Sequence, residues 1–169
     1  DDVESRGLGD VYKRQTMENV RRAMDAVLTK NANEVEDVYK TEQTINNMEK
    51  MLTEYLVKVN NLSLTERQKL VVNDLFYSIN DIERVGDHAE NLAEQAEYMV
   101  QHNISFSETG ESDLHVICET AFSSFKHSIN ARQKGDMDDV RKVSQYEDEV
   151  DTLEEELREK HIERLSAGK

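Results

Sequence analysis

Glu83, Asp87 and Glu90 fall within one helical stretch, Ile79 to Ala93, at spacings of four and three residues. Those spacings place carboxylates side by side on one helix face, where like charges cost a few tenths of a kcal/mol per pair. Gly86 lies among them, and glycine in a helix interior is about 1 kcal/mol less favourable than alanine. Two unfavourable choices within one turn call for something that offsets them. A bound cation would remove the repulsion, and a glycine would let a second helix bring its own ligands close. The plainer reading is a solvated acidic stripe with Gly86 as a packing notch, and spacing alone favours it.

The elements that must position these acids are helices. The chain has 169 residues and no proline or tryptophan, with few glycines. Its abundant Glu, Lys, Leu and Ala lose little on entering a helix. An all-α protein is therefore expected, long enough to bury a real core. A formal net charge of −15 excludes nucleic acid as a partner, since affinity for a phosphate backbone comes mainly from Lys and Arg releasing counterions. One cysteine rules out an internal disulfide, and no apolar run approaches the roughly 20 residues that cross a bilayer. A reducing, aqueous compartment follows.

Residues 1–15 read as a leader, non-native or disordered, because they lack a helical period and Ser5 to Gln15 resembles translated sequencing-adaptor sequence. A first helix is expected from an N-cap at Thr16 to about Lys30, with Met17, Val20, Met24 and Val27 or Leu28 inward. A second, Glu34 to about Asn60, turns Val35, Val38, Ile45, Leu52, Leu56 and Val59 inward. The third is capped by Ser63, with Glu66 at the capping-box position, and runs to about His102. Its seam is Leu75, Ile79, Ile82, Gly86, Ala89, Ala93, Ala96 and Val100. Residues 103–113 read as a loop with a second capping box at Ser105 and Glu108. A fourth helix then presents Leu114, Ile117 or Cys118, Ala121, Phe125 and Ile129, ending at Gly135. A fifth, from about Asp136 to Leu165, presents Val140, Val143, Val150, Leu153 and Leu157.

Two of these seams break at the same kind of residue. Stepping from Val38 to Ile45 delivers Glu42, followed by Asn46, and stepping from Val143 to Val150 delivers Glu147, followed by Asp151. One such glutamate is an edge residue snorkelling outward. Two argue for a repeat, because Val35, Val38, Glu42, Ile45, Asn46, Glu49 and Leu52 recur 105 positions later as Val140, Val143, Glu147, Val150, Asp151, Glu154 and Leu157. The third helix of the second copy would start where the sequence stops. The expected organisation is thus a complete antiparallel three-helix bundle over 16–103, then the first two helices of an incomplete second bundle over 104–169.

On these motifs the chain resembles the PhoU family, whose fold is a tandem pair of three-helix bundles with an acidic E(D)-x-x-x-D signature on two helices of each. Glu83-x-x-x-Asp87 and Glu147-x-x-x-Asp151 match the signature, while Glu42-x-x-x-Asn46 carries an amide in place of a carboxylate. The wording around Tyr55-Leu56 and from His161 to Leu165 is similar to the cytoplasmic C-terminal PhoU-like region of bacterial sodium-dependent phosphate cotransporters. The resemblance implies a regulator of phosphate uptake, with a metal held by Glu42, Asn46, Glu83, Asp87, Glu147 and Asp151, and Glu90 beside them. It implies a membrane-embedded phosphate transporter domain or subunit as partner, a place on the cytoplasmic side of the inner membrane, and self-association as an option. A free-standing PhoU regulator is the alternative. Oxygen ligands of this kind suit Mg, Mn or Fe without choosing among them. Two other classes compete: a metal-free helical scaffold, and a ferritin-like diiron enzyme. The latter needs Glu-x-x-His on paired helices, and none of the five histidines has a glutamate three residues before it. His88 is assigned to hydrogen bonding rather than to ligation. No nucleophile with a positioned base and no phosphate-binding glycine loop is legible, so no enzyme is expected.

Overall fold

The computed structural model of the chain describes residues 2–134 and 137–167. They form five helices: α1 (Asp2–Thr29), α2 (Ala32–Asn60), α3 (Glu66–Gln101), α4 (Glu108–Lys134) and α5 (Met137–Ser166). The fold is all-α. Residues 1–104 and 105–169 make two units, the first from α1, α2 and α3 packed against one another and the second from α4 packed on α5. No described helix is long and apolar enough to cross a membrane.

Contacts between side chains fix the directions in the first unit. Asn19 meets Val38 and Arg22 meets Glu34, so α2 runs against α1. Tyr12 reaches Ile79 while Gly86 lies against Thr16, so α3 runs with α1. The result is an up-down-up bundle. Its core is Val20, Ala23, Met24 and Val27 of α1, Val35, Val38, Ile45, Leu52 and Leu56 of α2, and Ile79, Ile82, Ala89, Ala93 and Ala96 of α3. α3 runs for 36 residues, about 54 Å of helix, and its buried face turns small between Gly86 and Ala96, with Ala89 and Ala93 between them.

The expected N-cap at Thr16 is corrected. α1 starts at Asp2, and Thr16 is fully buried in its middle, its hydroxyl donating to the Tyr12 carbonyl at 2.8 Å. A threonine can cap a helix or bond back one turn inside it. Tyr12, 1% exposed, extends the apolar face of α1 by one turn and selects the second option. Two other starts also move. α3 is capped by Thr65, not Ser63, in a reciprocal box with Gln68, which frees Glu66 to lie in the first turn beside Lys69, where an acid suits the helix dipole. α4 opens at Glu108, inside the expected loop, with Ser107 Oγ accepting from the Gly110 amide.

Helix ends follow the backbone rules more closely. Lys30 has φ 52° and Asn103 φ 50°, left-handed conformations that reverse the chain. After α3 the Asn103 amide donates to Val100 and the Ile104 amide to Met99, the paired bonds of a Schellman ending. The α3 seam is shifted at both extremities. Leu75 and Val100 are exposed, at 46% and 38%, and Val72 and Met99 are buried instead. A straight α-helix drifts about 20° per heptad against a four-three step, so a seam stepped outward from Gly86 leaves the core at its ends.

In the second unit Cys118 and Ile129 are the buried apolar side chains among those described, while Leu114, Ile117, Ala121, Phe125, Val150, Leu153 and Leu157 are half-buried. The expected helix end at Gly135, the start at Asp136, and the side chains of Val140 and Val143 lie outside the described residues.

Candidate functional site

Glu42 is the one acid that the bundle takes inside among the described residues. It is 5% exposed, and its Oε2 is buried without a hydrogen-bond partner. Position on α2 forces this, because Glu42 occupies the seam between Val38 and Ile45, both buried. A carboxylate there needs room and donors. Gly86 supplies room: a methyl group at its Cα would lie 3.7 Å from Glu42 Oε1, 3.9 Å from Oε2 and 3.4 Å from Thr16 Cγ2. Asn19 of α1, fully buried, supplies a donor to the Glu42 side chain and also donates its amide to the Val38 carbonyl at 3.2 Å.

Burial pushes the Glu42 pKa up to about 7, and the negative charges of Glu90 and Asp87 push in the same direction against the Asn19 hydrogen bond. A second acid on α2 behaves alike. Glu49, half-buried two turns further on, is raised by burial and by Glu83 and Asp87. Tyr12 is raised by burial and then by Glu49, Glu83, Glu42 and Asp87, while its hydroxyl donates to the Ile79 carbonyl across a long 3.4 Å. Fields from four carboxylates thus converge on one phenol. Further along the same groove Tyr39 donates to Glu97 at 2.9 Å, and burial with that bond raises its pKa to about 12.

The structure therefore brings Glu42, Glu83, Asp87 and Glu90 of the sequence-expected set into one α2–α3 groove. Glu83, Asp87 and Glu90 are on its solvent side, and Asn46 is also exposed. Among the described residues no three Asp, Glu, His or Cys side chains are grouped as metal ligands would be. The acids sense one another's charge without converging on a point. Asp151 is exposed on α5, and the side chain of Glu147 lies outside the described residues. Tyr12, Thr16, Asn19 and Glu49 were not among the expected site residues. The first three share a face with Val20 at helical spacing, a signal hidden by setting residues 1–15 aside. Glu49 belongs to the repeated pattern but falls outside the E-x-x-x-D spacing.

The model of the PhoU domain family matches residues 12–96 and 114–169, most of both units. The chain belongs to the PhoU domain family. Its fold is similar to that in the crystal structure of PhoU from Pseudomonas aeruginosa, with a TM-score of 0.84 at 21% identity, over 96% of this chain and 78% of that one. No curated protein matches the chain in sequence. The PhoU match begins at Tyr12, the first deeply buried residue of α1 among those whose side chains are described. It also contains Glu42, Glu49, Glu83, Asp87 and Glu90.

Proposed function

We propose that this PhoU-family chain is a cation-binding regulatory domain in phosphate transport and phosphate homeostasis. In this reading it works on the cytoplasmic side of the inner membrane, against a membrane-embedded phosphate transporter domain or subunit of the sodium-dependent cotransporter type. The role is regulatory rather than catalytic. The observation that carries it is Glu42, a seam carboxylate with an orphaned buried oxygen, facing a glycine and flanked by the charges of Asp87 and Glu90. Isolated buried charge is strongly disfavoured, and a protein that keeps it gains most from a ligand that neutralises it.

The oxygen chemistry of these side chains suits a hard cation, although in the described arrangement they do not converge on a point, so binding one would require Glu83, Asp87 and Glu90 to close toward Glu42. Glu42, Glu83, Asp87 and Glu90 would hold Mg, Mn or Fe, with the Asn46 amide as a neutral contributor and Glu147 with Asp151 as the related half-site on α5. When bound, the ion supplies positive charge that cancels the mutual repulsion of the groove. The chain's own residues do the rest: Asn19 orients the Glu42 carboxylate, and Gly86 keeps the space in front of it open. Occupancy would change the charge of the groove presented to the transporter, which is how a buried glutamate would be read outside the bundle.

Calorimetric titration of Mn or Mg into the parent and into a Glu83→Gln, Asp87→Asn variant tests this. A saturable isotherm and a higher melting temperature with metal in the parent alone are expected. Equal affinity in both proteins would overturn the assignment.

A further inference from the structure

The closure that a cation asks of Glu83, Asp87 and Glu90 has a counterpart on Glu42. Those three acids are exposed along the groove, whereas Glu42 Oε2 is sealed from solvent without a hydrogen-bond partner. Asn19 of α1, fully buried, holds the same carboxylate by a hydrogen bond. A cation in the groove therefore cannot reach Glu42 where it stands. We propose that Glu42 is a two-position switch, held inward by Asn19 in the free protein and drawn outward into the α2–α3 groove when a cation binds there. This builds on the cation-binding function proposed above.

Both positions are within reach of one backbone. Glu49, seven residues on, shares the flank of α2 that carries Glu42, and it is half-buried with the charges of Glu83 and Asp87 acting on it. That flank opens onto the groove at Glu49 and is closed at Glu42. Rotation between staggered side-chain rotamers carries a glutamate carboxylate from one side to the other without moving the helix. Gly86 leaves the passage free, since the methyl it lacks would stand 3.7 and 3.9 Å from the two carboxylate oxygens.

Each position carries its own cost. Inward, the carboxylate keeps the Asn19 bond but leaves one oxygen buried and unpaired, which is unfavourable. Outward, it regains water but joins Asp87 and Glu90, whose negative charges already act on it. A cation removes the second cost and not the first, so it favours the outward position; a ligand shifts an equilibrium only through such a difference. Once Glu42 has left, Asn19 retains the Val38 carbonyl at 3.2 Å and loses its other acceptor. The ion then ties α2 to α3 while one tie between α1 and α2 is given up. Occupancy is thereby felt on α1, a helix that supplies none of the groove acids.

The test is titration of the isotopically labelled full chain with magnesium chloride at pH 8.5 and constant ionic strength, followed by backbone and Asn side-chain amide shifts and by hydrogen exchange. Saturable shifts at Glu83, Asp87 and Glu90 are expected, with the Asn19 side-chain amide moving at the same midpoint. Exchange should quicken in α1 around Asn19 and slow in α2 and α3. Asn19→Ala, which removes the inward hold, should bind Mg about tenfold more tightly, the worth of one hydrogen bond to a charged group. Glu42→Gln should bind Mg more weakly and leave the Asn19 amide unmoved. Saturable binding in the parent with the Asn19 amide and α1 exchange unchanged would overturn the switch and leave the cation site standing, and it decides the matter even where Asn19→Ala does not fold. Weaker binding in Asn19→Ala would overturn it too, by making Asn19 a support for the bound state. No saturable response at all would overturn the cation site itself.

Discussion

Gly86 of α3 and Glu42 of α2 face each other so closely that a single methyl on the glycine would stand 3.7 Å from the carboxylate oxygen. That is ordinary contact, not collision. Gly86→Ala should therefore gain up to about 1 kcal/mol from helix propensity and raise the melting temperature of the metal-free protein. The same methyl occupies the space in front of Glu42, so cation affinity should fall. Gly86→Leu has no room for its further atoms against Thr16 and Glu42 and should destabilise by roughly 1–3 kcal/mol. Thermal melts of the three proteins, with and without Mn, check both halves; a stabilised Gly86→Ala that binds Mn as well as the parent would detach the glycine from the site.

Tyr12 makes the N-terminal turns of α1 part of the bundle. It is nearly fully buried and bonds across to α3. Deleting residues 1–10 should leave the melting temperature almost unchanged, whereas deleting residues 1–15 removes Tyr12 and should cost about 3–5 kcal/mol, the range for losing a large buried aromatic. Urea unfolding of the two truncations measures the difference. Equal stability would mean that Tyr12 only covers the bundle end.

Helix type and number were legible because composition and seam spacing agree over long stretches. Glu42, Glu83, Asp87 and Gly86 were legible because each breaks a local rule: an acid in a seam, acids repelling along a face, a glycine in a helix. Helix starts were not. Ser63 and Thr65 both begin a sequence that can form a capping box, and only the packing of α3 decides which does. Asn19 escaped notice for a different reason. A buried amide looks like a surface one in sequence until the helix carrying it is extended back to Tyr12. Whether the groove acids converge on a point is a matter of side-chain geometry that spacing does not encode.

The second unit should open before the first. Its described helices bury Cys118 and Ile129 and leave their other apolar side chains half-exposed, while α1, α2 and α3 enclose a continuous core. Local stability follows buried apolar contact. Limited proteolysis should therefore cut within 105–167 first and leave a resistant fragment ending near Ile104, identified by mass. Early cleavage inside α3 would contradict this order.

Glu42 should also set the pH dependence of the metal-free protein. Its pKa rises from 4.5 to about 7 on folding, chiefly through burial, so the folded state holds a proton that the unfolded state has released. Stability linked to that proton is fully present below about pH 4.5 and is lost as pH rises through about 7. A shift of this size corresponds to roughly 3 kcal/mol at most, at about 1.4 kcal/mol per pH unit. Glu49, raised in the same way, adds in the same direction. The parent should therefore weaken between pH 5 and 8, and Glu42→Gln, which keeps the shape and an acceptor for Asn19 but never ionises, should weaken much less and be the more stable protein at pH 8. Asn19→Ala should move the parent's transition to higher pH, since the hydrogen bond it removes favours the ionised form. Urea unfolding at pH 5, 6.5 and 8 on the three proteins decides the matter, and a Glu42→Gln profile parallel to the parent's would place the titrating group elsewhere.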